Sequence, residues 1–387
     1  MAKTIRVAQI VGRMVGGGVE ATVMNHYRHI DHSRVQFDFI VQEDSTKIPQ
    51  DEITSLGGHV YKIPSYTHPL AYVRACEKIF ADTHPDIVHS NMNAMSILPL
   101  LAAKKAGVKI RIAHSHSTAN PHEPIKTVAK NILRPFSKVY PTVLAACSEH
   151  AAEWLFGHEA ATNGTVHIIH NAIELDRFSF DVEKRNSIRH NLGINENILL
   201  IGQVGRLCTQ KNQWFSLKIF SRLLLRNDNA ILVFLGSGDD SVKLQSRAKE
   251  LGIADKVKFA GIQDDTSLWY SAFDVLLFPS TYEGLGMACI EAQASDLPIV
   301  ASTEVPSEAV IISERVKRIA LETGYEKWSE EILAAAMSHS SKSRSSQVER
   351  LKQSGYDINQ SASDLADWYE QLVESSAETS APAVIKR

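Results

Sequence analysis

Short apolar runs alternate with stretches of helical periodicity along almost the whole chain. In the first half, runs that read as strands lie at 5–11, 37–41, 59–63, 87–90, 110–113, 143–146 and 166–169. Helical spacing falls between them at 19–30, 72–82, 96–106 and 125–139. A second series has strands at 198–204, 231–235, 257–260, 275–278 and 299–301, with helices at 213–225, 242–251, 267–272, 287–295 and 325–336. Strands that alternate with helices make parallel sheets. The pattern therefore predicts an α/β protein of two doubly wound domains with a cleft between them. The polar segment 170–197 lies between the two series and holds the expected linker. A serine- and lysine-rich stretch at 338–346 reads as a loop, 361–374 as a last amphipathic helix, and 375–387 as a disordered tail. The expected domains are 1–178 and 179–360, with the helix and tail of 361–387 free to pack back on the first.

Composition narrows the function classes. A chain of 387 residues, 44% hydrophobic and 22% charged, suits a soluble protein of about two domains. Its net charge of −3 implies no bulk attraction to nucleic acid. Cys76, Cys147, Cys208 and Cys289 lie far apart without metal-ligand spacing, as expected for small apolar fillers in a reducing cytoplasm. The opening run reads as a first strand rather than a signal peptide, and no run approaches the ~20 apolar residues of a membrane span.

The stretch 279–302 is the most informative. Glu283 lies in a loop after a strand, and Glu291 on the second turn of the helix that starts near Gly286. Free N–H groups and the dipole at such a helix end attract a phosphate. Two acceptor-only carboxylates flank that spot and suit sugar hydroxyls. Eight helical residues span ~12 Å, about the reach from ribose to sugar across a diphosphate. Either the pair grips a nucleotide sugar, or Glu283 caps the helix and Glu291 is solvated.

Three other loops follow strands. Gly16, Gly17 and Gly18 end the first strand, where backbone can approach a ligand closely, although the run is not GxGxxG. Arg206 and Lys211 share the loop after strand 198–204 and are either solvated bases or a clamp for a leaving diphosphate. His114 and His116 end strand 110–113 and point the same way if extended, so at least one is an active-site candidate. No D-x-D occurs, so no metal-bridged diphosphate on a local acidic pair is expected. In 124–141, apolar and basic residues recur at helical spacing, which fits either peripheral contact with an anionic membrane or an ordinary surface helix.

Together these residues resemble the retaining glycosyltransferases of family 4, with the GT-B fold of two facing Rossmann-like domains. The resemblance runs from Gly16-Gly17-Gly18 through Ala146-Cys147-Ser148-Glu149, the linker His170 to Phe178 with Ala172 in place of glycine, Gly205-Arg206-Leu207 to Lys211, and Glu283 to Glu291 with seven residues between. It implies that Arg206 and Lys211 bind the donor diphosphate, Glu291 the ribose and Glu283 the transferred sugar. Gly16, Gly17, Gly284, Leu285 and Gly286 would complete the donor site. His116, rather than His114, falls beside the reacting centre. Catalysis would be metal-independent and cofactor-free. The donor would be a UDP-sugar, and the acceptor a glycan or polyprenyl-linked glycan of the cell surface, reached from the cytoplasm or the inner face of the membrane. Asp296 stands where the family has glycine, and Thr303 to Ser307 replaces a glycine-rich turn. A nucleotide-sugar epimerase of the same architecture and a non-catalytic glycan-binding homologue are the alternatives.

Overall fold

A computed structural model describes residues 3–116, 133–338 and 344–378. The chain forms two compact units, Met1–Ile173 with Asp357–Arg387, and Glu174–Tyr356. The chain enters and leaves the second unit at neighbouring points, because Ile173 and Asp357 form a β-bridge.

In the first unit the described strands form a parallel sheet of order β3-β2-β1-β4-β5-β6-β7. They are β1 Ile5–Gly12, β2 Val35–Gln42, β3 His59–Ile63, β4 Ile87–Ser90, β5 Ile110–Ser115, β6 Val143–Ala146 and β7 Val166–Ile168. Parallel strands covered by helices on both faces need apolar side chains in both directions. Accordingly the consecutive residues Phe39, Ile40 and Val41, which point alternately to the two faces, are all buried. The last helix, Ile358–Glu378, joins this core through Ala362, Leu365, Ala366, Trp368 and Tyr369. It continues through residues 375–378, where the sequence pattern predicts a tail without periodicity.

The second unit repeats the plan with order β10-β9-β8-β11-β12-β13. Its strands are β8 Leu199–Val204, β9 Ala230–Leu235, β10 Val257–Gly261, β11 Val275–Phe278, β12 Ile299–Ser302 and β13 Val316–Ile319. In both sheets the first strand of the series is central and the order reverses beside it. Ligands of open α/β sheets bind at such a reversal, beyond the strands' carboxyl ends.

One expectation needs correction. The segment 170–197 is not simply a linker, since Val182–Asn191 is a helix capped by Asp181 Oδ1, which accepts from the N–H groups of Glu183 at 2.7 Å and Lys184 at 3.2 Å. The expected helix at 125–139 lies largely outside the described residues. In its described end, Leu133 is helical and Arg134–Phe136 form a 3₁₀ turn. Pro135 has no N–H and its ring clashes with a preceding helical turn. No described helix is long and apolar enough to cross a membrane.

Candidate active site

In the second unit, the reversal falls between β8 and β11 and the loops that follow them are stitched together. Thr281 N–H donates to the Gln210 carbonyl at 2.8 Å, Asn212 Nδ2 to the Pro279 carbonyl at 3.1 Å, and Gln210 Nε2 to the Tyr282 carbonyl at 3.1 Å. This brings Lys211 and Glu283 together. Lys211 Nζ lies 2.5 Å from Glu283 Oε1 and 5.0 Å from the centre of the Phe278 ring. Gly205 makes room for the lysine stem. Its φ is +142°, and a Cβ there would stand 3.1 Å from Lys211 Cε. Arg206, on the same loop, is exposed and makes no ion pair among the described residues.

Gly284, Leu285 and Gly286 are buried beneath the start of the helix Met287–Ala294. Gly286 enters it at φ +95° with no side-chain cap, so its first N–H groups are left to other partners. Glu291, one turn further on, accepts a hydrogen bond from Tyr270 Oη at 2.6 Å. Burial raises the Glu291 pKa, opposed by the Tyr270 hydroxyl and by the charges of Lys211 and Arg177. Burial likewise raises the Tyr270 pKa, so the phenol stays a donor. Sequence patterning overlooks Tyr270 and Gln210, because Tyr270 sits in an apolar helix and Gln210 in a single 3₁₀ turn without a pattern of its own.

The first unit holds the remaining candidates at the carboxyl ends of β1 and β5. The N–H groups of Val15, Gly16 and Gly17 converge on Glu20 Oε2 at 2.9, 2.5 and 2.9 Å, so in this structure the glycine loop is occupied by its own helix. His116 is buried, with Nε2 2.8 Å from Asn91 Oδ1 and its backbone N–H donating to Asn93 Oδ1 at 2.7 Å. Its Nδ1 has no hydrogen-bond partner among the described residues. His114 and His116 lie on one side of the strand, with ring centres 3.8 Å apart. Burial holds the His116 pKa down at about 3, with help from His26, so the ring is neutral at physiological pH.

The two departures from the resemblance have structural accounts. Asp296 adopts the left-handed conformation, φ +52°, that favours glycine. It is held there by Arg315, whose Nε and Nη2 donate to its carboxylate at 2.5 and 2.8 Å. The turn at 303–307 is pinned by Arg318 Nη2, which donates to the Thr303 carbonyl at 2.6 Å.

Residues 184–354 match the family model for glycosyl transferases group 1, and residues 16–177 that for glycosyltransferase family 4. The glycosyltransferase named EpsF of Bacillus subtilis (strain 168) is 32% identical over 94% of this chain and 96% of its own length. CapH of Staphylococcus aureus, a capsular polysaccharide biosynthesis glycosyltransferase, is 27% identical over 77% of this chain and 81% of its own. The crystal structure of Anabaena HepE in complex with UDP and glucose superposes with a TM-score of 0.71, at 16% identity, over 97% of this chain and 99% of that one. The chain therefore belongs to the group 1 and family 4 glycosyltransferases, and its fold is GT-B.

Proposed function

We propose that this glycosyltransferase moves a sugar from a UDP-sugar to a glycan or polyprenyl-linked glycan acceptor, with retention at the anomeric carbon, in cell-surface polysaccharide synthesis. The observation that carries the reading is the Lys211–Glu283 pair beside Glu291 and an uncapped helix start, at the point where the sheet order reverses. On this reading the second unit binds the donor and the first the acceptor. The relatives agree in kind: the name of CapH assigns it to capsular polysaccharide, and HepE holds UDP and glucose.

The chemistry is departure of a nucleoside diphosphate from a carbon of oxocarbenium character. Lys211 and Arg206, with the N–H groups at the start of Met287–Ala294, take up the charge that grows on the leaving phosphate. Glu291 grips the ribose and Glu283 the transferred sugar, while the neutral His116 orients that sugar. These groups do the work without a metal. Residues 124–141 are proposed to touch the anionic membrane surface when the acceptor is lipid-linked, which flotation with anionic vesicles measures.

The test incubates the protein with UDP-, GDP- and ADP-sugars and with free and polyprenyl-linked glycans. Nucleoside diphosphate release matched by a glycoside of unchanged anomeric configuration is the expected result. An altered nucleotide sugar without glycoside points to an epimerase. Tight UDP binding without turnover points to a non-catalytic homologue, and an inverted product overturns retention.

A further inference from the structure

The first unit buries a run of polar groups that links the last helix to His116. Gln9, His89, Asn91, His114, His116 and Tyr369 are each at most 6% exposed. Tyr369 Oη lies 3.1 Å from Gln9 Nε2 and 2.7 Å from His89 Nδ1. Gln9 Oε1 lies 2.9 Å from Asn91 Nδ2, and Asn91 Oδ1 lies 2.8 Å from His116 Nε2. On the other branch, His89 Nε2 lies 2.9 Å from His114 Nδ1.

With the Gln9 and Asn91 amides oriented as they are here, the protons of this run follow from its donors and acceptors. Gln9 Nε2 can only donate, so it donates to the Tyr369 oxygen and leaves the phenolic proton for His89 Nδ1. His89 then carries its own proton on Nε2 and gives it to His114 Nδ1. On the first branch, Asn91 Nδ2 donates to Gln9 Oε1, so Asn91 Oδ1 must accept from His116 Nε2–H. His116 is thereby left with a bare lone pair on Nδ1, the atom that has no hydrogen-bond partner among the described residues. Reversing one link on this branch requires reversing every link, because each amide presents an acceptor on one side and a donor on the other.

We infer that Tyr369 is a positioning residue for His116: its hydroxyl, bridging Gln9 and His89, locks the Gln9–Asn91 bonds into one concerted direction and so keeps His116 protonated on Nε2 with Nδ1 free to accept. The consequence for sugar transfer rests on the role proposed for His116 above. The tautomer itself does not. Phenylalanine at 369 retains the ring that packs on Phe37 and Trp368 but releases the Gln9 amide, which can then turn over and carry Asn91 with it.

The experiment labels the histidines with ¹⁵N and reads the His116 tautomer from two-bond ¹H–¹⁵N spectra, in the full chain and in Tyr369→Phe. The wild type is expected to hold the Nε2–H form alone and the variant a mixture of both. With a working donor and acceptor, kcat should fall roughly 10-fold with the donor KM unchanged, as expected when a group beside the reacting centre loses its orientation. Gln9→Met cuts the same branch without touching Tyr369 and should reproduce both effects, which keeps the test open if Tyr369→Phe does not fold. His116 protonated on Nδ1 in the wild type overturns the inference, as does a variant whose kcat falls while the tautomer stays fixed. If the wild type transfers no sugar at all, the functional reading fails and the spectra still decide the tautomer.

Discussion

Lys211 and Glu283, 72 positions apart in the chain, form an ion pair at 2.5 Å across the two loops at the sheet reversal. An ammonium has three N–H donors, so one can hold Glu283 while the others face a phosphate. The carboxylate thus keeps the lysine extended over Phe278 before any donor arrives, which spares the reorganisation that a free side chain would need.

The pair can be dissected into structure and chemistry. Lys211→Met leaves the Glu283 carboxylate buried without its partner and should cost about 3 kcal/mol in denaturant unfolding. Transfer should fall roughly 10²–10³-fold, the scale for removing one charge-stabilising donor. Adding Glu283→Gln to Lys211→Met should recover much of the stability and none of the activity. Recovery of nucleotide release in the double variant would show that Lys211 acts only through folding.

Donor affinity should depend on the bond between Tyr270 and Glu291. Tyr270→Phe removes the donor from a half-buried carboxylate and should weaken UDP binding by about 1–2 kcal/mol in calorimetric titration. Because burial raises the Glu291 pKa, affinity should also decline as pH falls toward that raised value, since a protonated carboxyl accepts fewer ribose hydroxyls. Glu291→Gln should abolish that pH dependence, and a slope that survives the substitution assigns it to another group.

Much of the fold is legible because parallel strands are apolar on both faces, so runs such as Val275–Phe278 stand out unbroken. The alternation of strand and helix gives parallel pairing, while the reversal of strand order emerges only in the fold. The helix Val182–Asn191 is hidden for the opposite reason. Its buried face is made of Arg185, Ile188 and Arg189, whose guanidinium groups are satisfied by Asp274 and Glu196 rather than by apolar neighbours. Lys211, Glu283 and Glu291 stand out from their places after strands and from the family resemblance. Tyr270 could not, since nothing in an apolar stretch says which aromatic carries a bonded hydroxyl. The His116 network is equally silent, because its members run from Gln9 to Tyr369 and meet only after folding.

Stability should fall in mild acid because of the buried imidazoles. Burial lowers the pKa of His26, His89, His114 and His116 in the folded state, to about 3 for His89 and His116. Above the unfolded value of ~6.5 both states are neutral and nothing is lost. Below it the unfolded chain binds protons that the folded chain refuses, so each histidine removes about 1.4 kcal/mol per pH unit until its folded pKa is reached. His32 and His167 shift the same way. Denaturant titrations from pH 7 to 5 should show this loss before carboxylates titrate. A flat profile over that range would place the imidazoles in contact with water.

Asp296 sets two effects against each other. Glycine at this position would relieve a left-handed backbone, worth about 1 kcal/mol. The same change would strand Arg315, whose side chain is only 12% exposed, and remove the acceptor for the Ser345 N–H at 2.8 Å. Breaking a buried pair from one side costs about 3 kcal/mol, so the ion pair wins and Asp296→Gly should destabilise by about 2 kcal/mol despite matching the family pattern. Asp296→Gly with Arg315→Leu removes both charges and should recover most of that loss. Thermal and urea unfolding of the two variants measure the balance. A more stable Asp296→Gly would mean that backbone strain, and not the Arg315 contact, governs this turn.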